Sequence, residues 1–91
     1  MIVSWDSKKN KANKDKHGIS FEYAKYVFAD TYRIELYDED HSDFEDRYIV
    51  IGMVEDVLVV VYTMRKSIYR IISARRATKR ERDYYEQIRN S

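Results

Sequence analysis

The stretch that decides the fold runs from Arg47 to Arg75 and reads RYIVIGMVEDVLVVVYTMRKSIYRIISAR. It holds three segments rich in β-branched and aromatic residues, and short polar connections separate them, as is typical of consecutive strands. We predict strands over residues 47–53, 57–65 and 68–75. The middle segment is apolar on both faces through Tyr62, so we place it at the centre of an antiparallel sheet.

Helical signals lie on both sides of these strands. Asp6 can cap a polar helix that reaches about residue 16, with Gly18 just beyond its end, and Ser20 can cap a second helix over 21–29. A further strand is predicted over 33–37. Thr78-Lys79-Arg80-Glu81 is a capping box that opens a terminal helix to about residue 89. The predicted fold class is therefore α+β: N-terminal helices, an antiparallel β-meander sheet and a C-terminal helix, in one domain over 1–91.

The composition excludes several classes of protein. Of the 91 residues, 44% are apolar and 36% are charged, which is typical of a globular rather than a disordered chain. The absence of cysteine excludes disulfides and thiolate metal clusters, and it fits a cytoplasmic location. No apolar run approaches the roughly 20 residues of a membrane span. The Asp38-x-Asp40 spacing lacks the glycine of a calcium loop, and we expect neither a metal site nor a cofactor.

The net charge of +1 hides a strong asymmetry along the chain. Five lysines lie between Asp6 and His17, seven carboxylates and no Lys or Arg lie over 35–46, and nine Lys or Arg residues lie over 65–89. Such an asymmetry is informative about binding partners and not about the fold. The alternative interpretation is that these charged segments are only solvated surfaces without a binding partner, and it remains open.

The turn between the last two predicted strands decides which basic residues share a face. With a two-residue turn, Arg65 clusters with Arg70. With a three-residue loop, Arg65 shares a face with Ser73 and Arg75. The dipeptide Lys66-Ser67 lacks the glycine that the tightest turns favour, so we expect the longer loop.

Arginines on an open sheet suit phosphate, because the guanidinium stays charged and presents a planar fork of donors. Nearby tyrosines can stack on unpaired RNA bases. The alternative is that Arg70 and Arg75 pair with the carboxylates of Glu35 or Glu45 on the sheet surface. Spacing alone leaves both interpretations open.

Short strings in a fixed order carry a family resemblance. They are Trp5-Asp6-x-x-Lys9, Asn13-x-x-Lys16-His17-Gly18-Ile19-Ser20-Phe21, His41-Ser42-x-x-Glu45-x-Arg47, Ile51-Gly52, Val60-Val61-Tyr62-Thr63-x-Arg65, Arg70-Ile71-Ile72-Ser73-Ala74-Arg75-x-Ala77, Glu81-Arg82 and Tyr85. Together they resemble the BrnT family of ribonuclease toxins of type II toxin–antitoxin systems. The chain departs from the family pattern at Val54-Glu55-Asp56, at Met64 and at Lys66-Ser67.

The resemblance implies a RelE-like fold and a toxin that cleaves RNA. It also implies neutralisation by a BrnA-type antitoxin with a ribbon–helix–helix DNA-binding domain. In such systems the complex represses its own operon, so this chain would meet operator DNA only through the antitoxin.

Metal-free cleavage of RNA by the 2′-oxygen needs a base, an acid and stabilisation of the phosphorane charge. Arg65 and Arg75 are assigned to the phosphate. His17 is the preferred acid–base residue, because imidazole titrates near neutral pH, and its alternative role is to bond carbonyls at a helix end. The residues expected to bind RNA are Lys16, Arg70, Arg76, Arg82 and Tyr62.

Two neighbours of the acidic segment receive structural roles. We expect His41-Ser42 to orient its loop and Glu45 to pair with Arg47. The competing function is a non-catalytic module whose basic surface binds RNA or an acidic protein. A transcriptional regulator is disfavoured, because no helix-turn-helix is visible.

Overall fold

The computed structural model describes residues 2–91 and confirms the α+β class. In chain order the elements are β1 Val3–Trp5, α1 Ser7–His17, α2 Phe21–Ala24 with a 3₁₀ continuation Lys25–Ala29, β2 Ile34–Tyr37, a 3₁₀ turn Glu39–His41, β3 Tyr48–Met53, β4 Val57–Arg65, β5 Ile68–Arg76 and α3 Lys79–Arg89. None of the helices within 2–91 combines the length and the apolar character needed to cross a membrane.

The strands form one sheet in the order β1-β5-β4-β3-β2. The predicted antiparallel meander of β2 to β5 is confirmed, and β4 lies at its centre. The sheet is not wholly antiparallel, because β1 pairs in parallel with β5, with Val3 opposite Tyr69. Three residues carry too little pattern to define a strand direction, so this edge pairing was beyond sequence reasoning.

The β4–β5 turn has two residues, so the expected three-residue loop is wrong. Arg65 lies opposite Ile68, and the two residues between them have positive φ, 51° at Lys66 and 67° at Ser67. Positive φ at both central positions is the type I′ geometry, whose twist matches that of paired strands. That match lets two non-glycine residues occupy the left-handed region here.

A β-bulge in β5 interrupts the pairing with β4. Tyr62 lies opposite Ile71, whereas Val61 lies opposite Ser73, so Ile72 is an extra residue on β5. The extra residue shifts the alternation of side chains along the strand. As a consequence Arg70 and Arg75, five positions apart, lie on the same face of the sheet.

The two faces of the sheet are covered unequally. On the helix face, Phe21, Ala24, Val27 and Phe28 form the predicted buried stripe and pack on the side chains of Val50, Leu58, Val60, Tyr62, Ile71 and Ala74. On the other face, Tyr85 of α3 packs on the side chains of Ile51, Val57, Val59 and Ala77. Because α3 covers only one end, we call the remainder, around Val61 and Ser73, the open face.

The polar helix α1 is attached through a hydrogen-bonded asparagine. Asn13 is 7% exposed, and its Nδ2 donates to the carbonyls of Ile19 and Ala74, at 2.9 and 2.8 Å. Its Oδ1 accepts from the Ala74 N–H at 3.0 Å. The predicted caps are confirmed as well, since Asp6 accepts from the Lys8 N–H and Gly18 has φ 71°. A helix without an apolar stripe therefore docks by satisfying backbone groups.

Asp30 joins the end of the second helix to α3. Its carboxylate accepts hydrogen bonds from the hydroxyl of Tyr85 and from the N–H groups of Met53 and Tyr32. Burial alone would raise the pKa of Asp30, but these hydrogen bonds outweigh it and the pKa is lowered. Burial and the Asp30 carboxylate raise the pKa of Tyr85. The pair stabilises the docking of α3 on the sheet.

Candidate functional site

A groove of about 330 Å³ crosses the open face. Its floor is formed by apolar residues of neighbouring strands, Ile49, Val59, Val61 and Ile72. Cross-strand pairing places Ser73 beside Val61 and Arg75 beside Val59. The opposite rim belongs to the loop between β2 and β3 and consists of Asp38, His41 and Arg47. A charged and polar rim therefore surrounds an apolar floor.

Two more arginines lie on this face beyond the groove. Arg70 lies opposite Thr63, and Arg65 follows Thr63 by two residues on β4. Thr63 and Val59 are four residues apart, so the rows of Arg70 and Arg75 are separated by roughly 14 Å. Neither turn alternative places all three arginines together. The three arginines share a face only because the β4–β5 turn has two residues and β5 contains the bulge.

Arg75 is held by a bidentate ion pair with Glu81. Nη1–Oε1 is 2.7 Å and Nη2–Oε2 is 2.8 Å. The same Oε1 accepts from the Thr78 N–H at 2.8 Å, which confirms the predicted capping box. Hydrogen bonds from the Arg75 guanidinium lower the pKa of Glu81 to about 2, and the Glu81 carboxylate raises the pKa of Arg75.

The structure contradicts both the alternative pairing of Arg70 and Arg75 with Glu35 or Glu45 and the expected pairing of Glu45 with Arg47. Arg75 pairs with Glu81 instead of Glu35 or Glu45. The described contact of the Arg70 side chain is with the Ser4 hydroxyl, at 3.4 Å. Glu45 pairs with Arg65 at 3.5 Å, rather than with Arg47. The partners in the Arg75–Glu81 and Arg65–Glu45 pairs are 6 and 20 residues apart in sequence, and strand patterns alone do not predict such contacts.

The loop between β2 and β3 has a closed neck. The Asp38 N–H donates to the Arg47 carbonyl at 2.8 Å, the Ser42 hydroxyl donates to the Asp38 carbonyl at 2.6 Å, and the Arg47 N–H donates to Ser42 Oγ at 2.9 Å. The expected orienting role is confirmed for Ser42. His41 Nδ1 lies 3.1 and 3.0 Å from the two carboxylate oxygens of Asp38.

Three of the predicted site residues lie elsewhere, at the end of α1. Arg76 lies opposite Leu58, whose side chain is in the core of the helix face. Its Nη1 donates to the His17 carbonyl at 3.3 Å, and its Nε lies 3.8 Å from Asp56. Lys16 is exposed on the same turn of α1. Among residues 2–91 the histidine that lines the groove is His41, not His17.

The family model described as "Ribonuclease toxin, BrnT, of type II toxin-antitoxin system" matches residues 5–81. The chain belongs to this family. Membership makes it a ribonuclease toxin of a type II toxin–antitoxin system, and it implies endoribonuclease activity, an RNA substrate and an antitoxin partner. The matched residues include Trp5 at the end of β1, all of β2 to β5 and Glu81, so they contain the whole groove.

A solved structure shows the same fold. The crystal structure at 1.1 Å resolution of the Brucella abortus ribonuclease toxin BrnT is similar to this chain, with a TM-score of 0.64 and 23% sequence identity. The similarity covers 87% of this chain and 99% of that one. No curated protein matches this chain. The fold that the resemblance implied is therefore confirmed.

Two predicted RNA-binding residues of this BrnT-family chain have internal contacts. Tyr62 is 4% exposed and packs on Phe28, Tyr48 and Tyr69, so its ring offers no surface to a base. Burial raises the pKa of its hydroxyl, which donates to Glu35 at 3.3 Å. Arg82 donates to the Ala77 carbonyl at 3.0 Å. The alternation of β4 explains the burial of Tyr62, because it places that side chain on the helix face.

Sequence reasoning missed the aromatic residue that is best placed beside the groove. Phe44 is fully exposed, and it lines a small hollow with His41 and Arg47. The available signal was a lone aromatic residue inside a run of carboxylates. Within residues 2–91, no group of three or more His, Cys, Asp or Glu side chains is arranged to hold a metal ion.

Proposed function

We propose that the groove of the open face cleaves RNA without a metal ion, through attack of a ribose 2′-oxygen on the adjacent phosphorus. The bond from the 2′-oxygen to phosphorus forms and the bond to the 5′-oxygen breaks. One proton leaves the 2′-hydroxyl and one reaches the 5′-oxygen. The products are a 2′,3′-cyclic phosphate and a 5′-hydroxyl. The observation that supports this proposal is the alignment of Arg65, Arg70 and Arg75 on one uncovered face.

Arg75 is the residue we assign to the scissile phosphate. A guanidinium has five N–H donors, and Arg75 uses three, two toward Glu81 and one toward the Arg76 carbonyl. The remaining donors, on Nε and Nη2, form a fork that suits a phosphorane oxygen pair. Glu81 accepts two hydrogen bonds from the other edge of the guanidinium and so restricts the rotation of the Arg75 side chain. The arginine is therefore preorganised for charge that develops in the transition state.

The remaining basic residues of the open face are proposed to hold the flanking nucleotides. Arg65 and Arg70 bind phosphates at one end, because they follow the groove along β4 and β5. Phe44 offers an exposed ring on which an unpaired base can stack, the function first expected of Tyr62. We assign Lys16, Arg76 and Arg82 only a general attraction for RNA, since they lie outside the groove lining.

The antitoxin is proposed to be of the BrnA type, with the toxin inhibiting translation when it is free. Together the two proteins would repress their operon through the antitoxin's DNA-binding domain. The helices within residues 2–91 support this assignment of roles, because they lie against the sheet and form no recognition-helix arrangement.

The test of this function uses purified toxin and a single-stranded RNA in the presence of a chelator. We expect cleavage products that end in a 2′,3′-cyclic phosphate, and no cleavage of the same RNA with 2′-deoxyribose at the cut position. Cleavage that requires a divalent cation, or cleavage of the deoxy position, would contradict the proposal. A salt-sensitive mobility shift without products would favour the non-catalytic binding module.

A further inference from the structure

Cleavage by a 2′-oxygen needs proton transfers that arginine cannot perform, because its guanidinium stays protonated at neutral pH. Imidazole is the side chain that most often performs such transfers. The groove lining contains one histidine, and it is His41. We propose that His41 is the proton-transfer residue of the groove and that Asp38 is the residue that positions its ring. This inference rests on the proposed function.

The contact between the two side chains defines the tautomer of His41. A carboxylate only accepts hydrogen bonds, so a ring nitrogen that lies 3.0 and 3.1 Å from its oxygens carries the hydrogen. In the neutral ring Nδ1 of His41 is therefore the N–H, and Nε2 is the nitrogen that can accept a proton.

The exposure of Asp38 and His41 suits their proposed roles: the positioning carboxylate is shielded from solvent and the imidazole is accessible to substrate. The Asp38 side chain is 12% exposed, whereas the His41 side chain is 68% exposed. Asp38 is held at the neck of its loop through both its N–H and its carbonyl. The Thr63 hydroxyl donates to the Asp46 carbonyl at 2.7 Å and attaches the loop to β4. Asp38 can therefore fix the imidazole relative to the sheet.

The charges along the groove match the two stages of the reaction. His41 and Asp38 lie on one rim with Arg47, and Arg75 lies on the other. A phosphate bound between the rims meets a fixed cation at Arg75 and a proton-transfer group at His41. His41 either takes the 2′-hydroxyl proton or delivers a proton to the leaving 5′-oxygen. In the first case water supplies the proton that the 5′-oxygen gains, and in the second case water accepts the proton that the 2′-hydroxyl loses.

The first experiment compares His41→Ala, Asp38→Asn and the control Glu39→Ala in single-turnover cleavage. Glu39 lies in the same 3₁₀ turn and is exposed. We expect a loss of about 100- to 1000-fold for His41→Ala, at least about tenfold for Asp38→Asn and less than about threefold for Glu39→Ala. Binding of an uncleavable 2′-deoxy RNA should stay within about threefold for all three. A merely structural role would weaken binding and cleavage together.

The second experiment assigns the step with an RNA that carries a bridging sulfur at the 5′-leaving position, since a thiolate departs without protonation. If His41 is the acid, this substrate restores His41→Ala to within about tenfold of the unsubstituted protein. If His41 is the base, the sulfur has no such effect, and free imidazole restores part of the rate. Failure of both rescues would overturn a proton-transfer role.

The outcomes separate this inference from the proposed function. If the unsubstituted protein shows no chelator-resistant cleavage that depends on the 2′-hydroxyl, the proposed function fails. If it cleaves and His41→Ala cleaves equally well, only the assignment of His41 fails. A loss in His17→Ala with intact binding and an unaffected His41→Ala would move the role to the other histidine.

Discussion

The two Nη atoms of Arg75 contact the two carboxylate oxygens of Glu81 across the short connection between β5 and α3. The same carboxylate accepts the Thr78 N–H and thereby caps α3. One side chain therefore both begins a helix and orients an arginine of the groove. Glu81 therefore couples the start of α3 to the rim of the groove.

Arg75→Ala should reduce RNA cleavage by about 100- to 1000-fold, because it removes a preorganised donor to the phosphorane. Arg76→Ala, the same change one residue further on the helix face, should reduce cleavage much less. Arg80→Ala, at an exposed position of α3, is the control for the loss of one positive charge. Single-turnover rates at saturating RNA measure the effect. Equal losses for Arg75→Ala and Arg76→Ala would contradict the assignment of faces.

Glu81→Gln should flatten the acid dependence of stability. The pKa of Glu81 is about 2 in the folded chain, against an ordinary value of 4.5, so its ionised form stabilises the fold above about pH 4.5. This stabilisation is lost as the pH falls toward 2. We expect roughly 1–2 kcal/mol, because the 43% exposure of the Arg75 side chain weakens the pair.

Urea unfolding at pH 5 and pH 2.5 measures this difference. Glutamine can still serve in a capping box, so Glu81→Gln keeps the helix cap while it removes the charge and one of the two oxygens that accept from Arg75. Glu86→Gln, later on the same helix, is the control. Asp30 also has a lowered pKa, and part of the acid dependence will therefore remain. An unchanged difference between the two pH values in Glu81→Gln would refute the prediction.

Asn13→Ala should lower the free energy of unfolding by about 2–4 kcal/mol, because three backbone groups lose their partner. They are the carbonyls of Ile19 and Ala74 and the N–H of Ala74. Lys9→Ala, at an exposed position of α1, should change it by less than about 0.5 kcal/mol. Denaturant titration at neutral pH tests both. If the two variants are equally stable, the asparagine does not dock α1.

Ser67→Gly should raise the free energy of unfolding by about 0.5–1 kcal/mol. Ser67 has φ 67°, a conformation that glycine adopts without the steric cost of a Cβ atom. Ser67→Val should lower the free energy of unfolding, because a branched Cβ clashes more strongly with the backbone at positive φ. Thermal or urea unfolding compares the pair. A destabilised Ser67→Gly would mean that the turn does not hold this conformation in solution.

Phe44→Ala should raise KM for single-stranded RNA by roughly 5- to 30-fold and leave kcat nearly unchanged, since stacking on a base is worth about 1–3 kcal/mol. Phe44→Trp should retain a low KM. The ring is fully exposed, so neither variant should change the unfolding midpoint. Steady-state kinetics with a short RNA of defined sequence give both constants. A KM unaffected by Phe44→Ala would exclude stacking.

Local features were predictable because their partners are close in sequence. Thr78 and Glu81 are three residues apart, and a capping box needs nothing else. The meander follows from the period-2 pattern of its strands, which selects one buried face. Arg65, Arg70 and Arg75 are predicted as candidates for phosphate, but each turn alternative groups only some of them, and the structure has the two-residue turn rather than the expected longer loop.

Features that depend on strand register, or on contact with an element distant in sequence, were not predictable. No residue type marks Ile72 as a bulge, yet the bulge decides that Arg70 and Arg75 share a face. Asn13 is one polar residue among many in α1, and its importance comes from the edge of β5 beside it. His41 was noticed as a loop residue, but spacing could not show that its loop lies over the open face.

The sequence by itself determined the class of fold, the caps, the order of the strands in the meander and the family. Each of these depends on short-range pattern or on motifs in a fixed order. Tertiary structure alone decided which charged groups meet: Arg75 with Glu81, Arg65 with Glu45, and His41 rather than His17 at the groove. The physical reason is register, because one inserted residue in a strand reverses every side chain beyond it.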